Sequence, residues 1–346
     1  MTRTARVLPV APGATLDPAS DVDALAAGVR AGNRRALAKA ITLIESKRTD
    51  HRAEGEVLLA RLLPATGSAL RMGISGAPGA GKSTFIEALG LTLVAQGHRV
   101  AVLAVDPSSS RSGGSILGDK TRMEELSRHP DAFIRPSPSG GTLGGVAART
   151  REAMLACEAA GFDVVIVETV GVGQSETAVA GMTDVFVLVQ MPNAGDELQA
   201  IKRGIVELAD VIVYNKVDID PKAAQLAMGQ MKQALSMLRP AAGGWRPPVV
   251  GASAVRRDGI EAFWREVVRC RDTLAAAGEL QAKRRRQSLD WMWALIDVGL
   301  RERFRSHPGV RAALSARTAQ VEAGTLAPTA AARQLLDILE RRSHHE

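Results

Sequence analysis

One stretch of the sequence constrains this chain more than any other: residues 76–83, which read GAPGAGKS. They fit the phosphate-binding pattern G-x-x-x-x-G-K-[ST]. The preceding residues 70–75 predict a short strand, and residues 84–89 open an amphipathic helix, which is the context that this pattern requires. The glycines let backbone N–H groups face a polyphosphate, and the start of the helix adds a partial positive charge. A chance glycine-rich turn does not explain the strand and the helix together.

We therefore expect this loop to bind the phosphates of a nucleotide. Lys82 should reach the β- and γ-phosphates, and the hydroxyl of Ser83 should ligate Mg²⁺. The residues expected to contact the nucleotide in this stretch are Gly76, Ala77, Pro78, Gly79, Ala80, Gly81, Lys82, Ser83 and Thr84.

Apolar runs alternate with helical patterns from residue 69 onward, which predicts an α/β fold. Further strands are predicted at 99–105, 133–135, 163–169, 184–190, 211–215 and 248–252. Helices are predicted near 84–96, 119–128, 145–160, 197–208, 222–238 and 259–276. Runs such as residues 164–167 are apolar throughout, which is typical of strands buried on both faces of a parallel sheet. We expect a P-loop NTPase fold: a mostly parallel sheet flanked by helices, with helical extensions at both ends.

A second motif indicates which base the nucleotide carries. Asn215, Lys216 and Asp218 form the pattern N-K-x-D directly after a predicted strand. The carboxylate of Asp218 can accept hydrogen bonds from the N1–H and the exocyclic amine of guanine, a pair of donors that adenine lacks. A carboxylate left unpaired by the wrong base is costly, so the motif favours GTP over ATP. Ser253 and Ala254 follow the last predicted strand, where a backbone N–H would meet guanine O6.

Acidic residues at strand ends are the candidates for holding Mg²⁺. Glu168 ends a buried strand in the position of the first residue of a D-x-x-G motif, and Asp106 ends another. Asp119 closes the Ser/Gly-rich loop that Asp106 opens, with helix capping as the alternative role. Each carboxylate could bind Mg²⁺ directly or through water. The candidate catalytic set is Lys82, Glu168 and Asp119.

Two segments are predicted to respond to the nucleotide. Gly171 can bring its N–H to the γ-phosphate, and the residues after it, including Gln174, should form a nucleotide-sensing switch. Val172 stands where a water-orienting glutamine would aid hydrolysis, so we expect slow turnover unless Gln174 or a partner supplies that group. Residues 193–204, with Asp196 and Lys202, should lie near the phosphate edge of the sheet; an ordinary helix start is the alternative.

The chain divides into four predicted parts. Residues 1–20 predict a disordered tail, with a targeting segment as the alternative. Residues 21–68 predict a helical extension that Asp21 would cap, and residues 69–277 the GTPase domain. Residues 278–346 predict a helical arm, in which Leu289, Trp293, Ile296, Leu300 and Phe304 recur at helical spacing. Such an apolar face indicates either a dimerisation element or packing within the chain.

Composition limits the remaining classes of function. The net charge of +7 includes the basic run 283–286, which we interpret as a solvated helix face. No nucleic-acid module accompanies the run, so we expect no nucleic-acid partner. Two cysteines far apart in sequence favour a reducing, cytoplasmic compartment, and no apolar run approaches the ~20 residues of a membrane span, so we expect no membrane partner.

Four blocks of sequence carry a specific resemblance: ETVGVGQSE at 168–176, GGSILGD at 113–119, GTLGG at 141–145 and GDELQ at 195–199. In this order they closely resemble the MeaB/ArgK-type P-loop GTPases. These are the methylmalonyl-CoA mutase-associated chaperones related to the human methylmalonic aciduria type A protein. The resemblance covers roughly residues 21–345.

The resemblance implies a function and a set of partners. Members of this family bind GTP or GDP with Mg²⁺ and hydrolyse GTP slowly alone, and faster with an adenosylcobalamin-dependent acyl-CoA mutase. They gate delivery of adenosylcobalamin, the cofactor of the mutase, and protect or rescue that enzyme. The resemblance implies a homodimer formed through the C-terminal arm, and an adenosyltransferase is a further candidate partner. Residues 193–204 match the switch that couples to the mutase, with Asp196, Glu197 and Lys202 as its charged members.

The sequence departs from the family pattern at two places. Ser110-Arg111-Ser112 stands where many relatives have a Pro-Phe-Thr-like segment, and Gly140 stands where some have arginine. The acyl-CoA that the partner mutase uses is therefore left open. The alternative function is that of a nickel-insertion GTPase, but such proteins need clustered Cys and His ligands that this sequence lacks. A kinase or transport ATPase is disfavoured by the guanine motif.

Overall fold

The computed structural model describes residues 18–46, 48–105, 123–136, 143–169, 175–192, 203–237 and 242–340. Within these ranges seven strands, all parallel, form one sheet in the order β3-β2-β4-β1-β5-β6-β7. The strands are β1 Leu70–Gly76, β2 Val100–Val105, β3 Ala132–Arg135, β4 Val164–Thr169, β5 Val185–Gln190, β6 Val211–Tyr214 and β7 Val249–Gly251. The predicted α/β P-loop fold class is confirmed.

The helices that cover this sheet and extend from it follow in chain order. They are α1 Pro18–Arg30, α2 Arg34–Ile44, α3 Thr49–Leu62, α4 Lys82–Ala95, α5 Glu124–Arg128, α6 Leu143–Ala159, α7 Ser175–Ala180, α8 Arg203–Leu208, α9 Pro221–Ser236, α10 Ile260–Ala276, α11 Glu279–Ser306, α12 Pro308–Glu322 and α13 Pro328–Glu340. None of these described helices combines the length and the apolar character that crossing a bilayer requires.

The sheet has a core on each face because its strands are mostly apolar. All six residues of β2, β4 and β5 are buried, as expected for strands that are covered on both sides. One core lies between the sheet and helices α4 and α10, and it includes the edge-to-face pair Phe85 and Phe263. The other core lies under α1, α2, α3 and α6. The N-terminal helices thus share this core with the sheet, and each of them also packs against α6.

The start of the chain differs in detail from the sequence prediction. The helical pattern over 21–46 forms two helices, because Gly32 adopts φ +74° and the side chain of Asn33 caps α2 through the N–H groups of Arg35 and Ala36. Helix α1 begins at Pro18, so the last three residues of the predicted tail are helical. Asp21 lies in the first turn of α1, and its prediction as the capping residue was wrong.

The interpretation of residues 283–286 as a solvated face was wrong for half of the run. Arg284 forms an ion pair of 2.6 Å with Asp184, which is fully buried, and also donates to the backbone oxygen of Ala69. Lys283 donates to the backbone oxygen of Asp184 at 2.7 Å and reaches Asp210 at 3.3 Å. Both acids immediately precede strands, so they gather at the amino end of the sheet, where α11 begins.

Candidate nucleotide-binding site

The phosphate loop joins β1, the central strand of the sheet, to helix α4. Gly81, the residue before the helix, has φ +78°, and a Cβ there would lie 2.7 Å from Nδ2 of Asn215. Gly76 approaches its neighbouring strand so closely that a Cβ would lie 2.0 Å from the oxygen of Val189. Both positions therefore require glycine. The tight turn places the start of α4 at the carboxyl end of the sheet, where α/β folds bind ligands.

Lys82 begins α4, and its side chain returns over the loop that precedes it. The ammonium group donates to the backbone oxygens of Gly76 at 2.8 Å and Ala77 at 3.2 Å, and the residue is only 9 % exposed. A cation held at the inner side of a phosphate loop is placed to neutralise phosphate oxygens.

Ser83 and Glu168 meet at the start of α4. The hydroxyl of Ser83 donates to Oε1 of Glu168 at 3.0 Å, and Glu168 is 4 % exposed. The register of the sheet explains the contact, since Glu168 on β4 pairs with Ile74 on β1 just before the loop. A hydroxyl and a carboxylate are the hard oxygen ligands that Mg²⁺ prefers, so this pair fits the metal predicted from the sequence.

A buried hydroxyl pair next to these residues was missed by the sequence analysis. Thr169 donates to the hydroxyl of Ser75 at 2.9 Å, and both are essentially inaccessible to solvent. The pair joins the ends of β4 and β1, the strands that lead into Gly171 and into the phosphate loop. A hydroxyl residue at the end of a mostly apolar strand is a weak signal that could have marked them.

Asn215 links the phosphate loop to the segment that follows β7. Its Nδ2 atom donates to the backbone oxygen of Ala80 at 2.9 Å, and its Oδ1 atom accepts from the N–H of Ala254 at 3.1 Å. The side chain is 1 % exposed. Lys216 adopts φ +63° and donates to the backbone oxygen of Gly79 at 2.8 Å. The N-K-x-D motif thus contacts the phosphate loop at two points, through Asn215 and through Lys216.

Asp218 lies on the same turn and is held as an anion. The hydroxyl of Ser253 lowers the pKa of the Asp218 carboxyl, and the guanidinium of Arg256, 3.6 Å away, lowers it further. The Asp218 side chain is 21 % exposed, so its oxygens can reach a ligand. An ionised carboxylate can only accept hydrogen bonds, as recognition of the N1–H and amine of guanine requires.

The structure therefore brings together the described members of the predicted site: residues 76–84, Glu168, Asn215 to Asp218, and Ser253 with Ala254. The other predicted residues lie outside the described part of the chain; they are Asp106, Asp119, Gly171, Gln174, Asp196, Glu197 and Lys202. The two departures at Ser110–Ser112 and Gly140 lie outside it as well. No group of three or more metal-ligating side chains occurs among the described residues.

Comparison with protein families gives a match over most of the chain. Residues 37–309 match the family model described as methylmalonyl-CoA mutase-associated GTPase MeaB. The matched range includes the phosphate loop, Glu168, the N-K-x-D motif and Ala254.

Individual relatives agree with the family match. A putative GTPase of Caulobacter vibrioides is 54 % identical over 92 % of this chain and 98 % of its own length. The mitochondrial methylmalonic aciduria type A homolog of Mus musculus is 48 % identical over 93 % of this chain and 80 % of its own. Among solved structures, one described as an LAO/AO transport system kinase has a TM-score of 0.74 and 38 % identity, covering 93 % of this chain and 98 % of its own.

Proposed function

The chain belongs to the family of methylmalonyl-CoA mutase-associated GTPases described as MeaB, and we propose that it is a GTP-hydrolysing chaperone for an adenosylcobalamin-dependent acyl-CoA mutase. The observation that carries the nucleotide assignment is the buried amide of Asn215, which bonds to both the phosphate loop and Ala254. This contact joins the phosphate loop to the segment that we propose binds the base. Family membership supports the identity of the partner.

The proposed roles of the side chains follow from their positions. The backbone of Gly76 to Thr84 and the ammonium of Lys82 hold the β- and γ-phosphates. Ser83 and Glu168, with Asp106 and Asp119, hold Mg²⁺, which when bound supplies charge neutralisation at the transferred phosphoryl group. Asp218 and the N–H of Ala254 read the guanine base, and Ser253 keeps Asp218 ionised.

Because phosphoryl transfer needs mainly positioning and electrostatic stabilisation, a site missing its water-orienting group should turn over slowly. Val172 stands at that position. We therefore propose that Gly171 and Gln174 sense the γ-phosphate, and that the mutase completes the site through residues 193–204, including Asp196, Glu197 and Lys202. Adenosylcobalamin belongs to the mutase, and an adenosyltransferase is proposed as a further partner.

We further propose that the chain forms a homodimer through α11. Its middle presents six apolar side chains that are 39–61 % exposed in the single chain: Leu289, Met292, Trp293, Leu295, Ile296 and Leu300. A contiguous apolar stripe of this size on a single helix is typical of an interface. In analytical ultracentrifugation, Leu300→Glu should convert the dimer to monomer, whereas Arg301→Glu, an exposed neighbour, should not. An unchanged Leu300→Glu dimer would reject this interface.

The organisation that we propose has a GTPase domain at residues 69–277, between a helical extension at 21–68 and the arm at 278–346, with residues 1–20 as a tail. The two cysteines, Cys157 and Cys270, are unpaired and buried, and burial raises the pKa of both thiols. Inert, reduced thiols of this kind are in keeping with the proposed cytoplasmic location.

The test is a GTPase assay with and without a purified adenosylcobalamin-dependent acyl-CoA mutase. We expect slow hydrolysis alone and acceleration of at least about tenfold by the mutase, which corresponds to ~1.4 kcal/mol of barrier. Lys202→Ala should retain GDP affinity but lose most of the acceleration, whereas Lys222→Ala, an exposed lysine on α9, should retain both.

The nickel-insertion alternative predicts a different outcome of the same assay. There the mutase would leave hydrolysis unchanged, and Ni²⁺ would bind the chain at one site. Intact nucleotide binding with no response to any mutase would reject the proposed partner while leaving the GTPase assignment in place.

A further inference from the structure

A cavity lies at the end of the sheet opposite the phosphate loop. It has a volume of about 690 Å³ and is bounded by the residues that precede β1 and β5, by α6 and by the first turns of α11. Gly67 and Arg71 line it at the start of β1, while the phosphate loop leaves the other end of that strand. At ~3.3 Å per residue, the seven residues of β1 separate the two sites by roughly 20 Å. The cavity is within the size range of small-molecule sites.

Four arginines line this cavity, and two of them already have carboxylate partners. Arg71 pairs with Glu158 at 2.5 Å, and Arg284 pairs with Asp184 at 2.6 Å, with both acids fully buried at their side chains. The other two, Arg151 and Arg285, form no ion pair with a described residue within 4 Å. The walls of the cavity therefore carry an excess of positive charge.

Arg151 is the more unusual of these two cations because it is partly buried. Its guanidinium donates to the backbone oxygens of Gln287 and Gly181, and it lies 5.2 Å from the ring centre of Trp291. Burial lowers the pKa of Arg151 to about 10, and repulsion from Arg71 contributes, while Asp290 opposes the shift. The group therefore stays charged at neutral pH in a setting that disfavours its charge. A bound anion would relieve that cost.

The rest of the lining is suited to an apolar body. Leu155, Met182 and Leu289 line the cavity beside the indole ring of Trp291. The indole N–H of Trp291 is buried and has no acceptor among the described residues. Sites for small organic ligands combine this kind of apolar wall with a few polar groups that fix orientation.

We propose that this cavity binds a small organic anion that carries one carboxylate or phosphate group on a flat apolar body. Arg151 and Arg285 contact the acidic group, and Trp291 with Leu155 and Met182 contacts the body. The site is separate from the nucleotide site and is built from the junction of the sheet with α11. A ligand there would contact the start of the C-terminal arm directly.

Calorimetric titration of the full chain, loaded with GDP and Mg²⁺ to fill the phosphate loop, tests this proposal. The probes are phenyl phosphate, benzoate, phenol and inorganic phosphate. We expect one equivalent of phenyl phosphate or benzoate to bind. Phenol, which lacks the acidic group, and inorganic phosphate, which lacks the apolar body, should bind at least about tenfold more weakly. Whichever of phenyl phosphate and benzoate binds more tightly identifies the preferred acidic group as phosphate or carboxylate.

Matched variants test whether the probes bind in this cavity or to exposed basic residues elsewhere on the surface. Arg151→Gln should weaken the preferred probe by about tenfold or more, as loss of a charge-assisted hydrogen bond does. Arg286→Gln should leave it unchanged, because Arg286 lies on the same helix, is 62 % exposed and does not line the cavity. If Arg151→Gln does not fold, Arg285→Gln, whose side chain is exposed, should still weaken binding by about threefold. The proposal is overturned if neither acid binds better than phenol, or if binding survives both substitutions.

Discussion

The Nδ2 atom of Asn215 lies 2.9 Å from the backbone oxygen of Ala80, although the two residues are 135 positions apart in the chain. The other end of the same amide accepts from the N–H of Ala254. One buried side chain therefore fixes the phosphate loop relative to the turn that is proposed to meet the base. The geometry of the site depends on this amide as much as on the residues proposed to touch the nucleotide.

Substitution Asn215→Ala should weaken GDP binding by about 10–100-fold, because it leaves two buried backbone groups unpaired. Titration with a fluorescent GDP analogue measures this loss. Asn33→Ala is the matched control: that side chain caps α2 and bonds to the N–H groups of Arg35 and Ala36. It should lower stability by about 1 kcal/mol and leave GDP affinity unchanged. Equal GDP affinity in both variants would contradict the proposed link.

Substitutions at two glycines of the phosphate loop distinguish the effect of backbone strain from the effect of a steric clash. Gly79 and Gly81 both have φ +78°, but a Cβ at Gly81 would lie 2.7 Å from Asn215, whereas a Cβ at Gly79 meets nothing within 4 Å. Gly79→Ala should therefore leave Asn215 in place and add mainly the backbone penalty of about 1–2 kcal/mol. Gly81→Ala should in addition displace Asn215 and abolish measurable GDP binding. Calorimetric titration of both variants checks the difference, and similar affinities would show that Asn215 can move freely.

The pair Arg284 and Asp184 should dominate the attachment of α11 to the sheet. Arg284→Ala leaves the fully buried Asp184 without its charged partner, which typically costs about 3–5 kcal/mol in the free energy of unfolding. Arg286→Ala, two residues further along the helix and exposed, should change stability by less than about 0.5 kcal/mol. Urea denaturation measures both. A small loss for Arg284→Ala would mean that the arm is held chiefly by its other contacts.

Glu152 should give the protein a specific dependence of stability on pH. Burial, and to a lesser extent Glu56, raise the pKa of the Glu152 carboxyl to about 7, against the opposing effect of Arg149. A raised pKa means that the folded state holds the proton more tightly than the unfolded chain. The contribution of the protonated Glu152 carboxyl to the free energy of unfolding is therefore fully present below about pH 4.5, and it is lost as the pH rises through 7.

Glu152→Gln should remove this dependence, and at pH 8 the variant should be more stable than the wild type by up to about 3 kcal/mol. Chemical denaturation at pH 5 and pH 8 provides the comparison, with Glu207→Gln, an exposed position on α8, as the control. The assignment would be excluded if the wild type and the Glu152→Gln variant showed the same change in stability between pH 5 and pH 8.

Local motifs explain why much of this molecule could be predicted from its sequence. The phosphate loop and N-K-x-D are contiguous, and apolar strands such as Val164–Thr169 are recognisable without their neighbours. The contacts that were missed join distant residues: Thr169 with Ser75, and Arg284 with Asp184. A run of basic residues looks like a solvated face until the fold places two acids beside it. The cap at Asn33 was missed because the apolar spacing continues across the break.

Selectivity for the base tests the central claim most directly. Calorimetry should show GDP binding at least about 100-fold more tightly than ADP, because only guanine offers two donors to the carboxylate of Asp218. Asp218→Asn should weaken GDP and improve binding of xanthosine diphosphate, whose base carries an oxygen in place of the amine. That reversal would assign the base contact to Asp218. Equal affinity of the wild-type protein for GDP and ADP would contradict the account of the site.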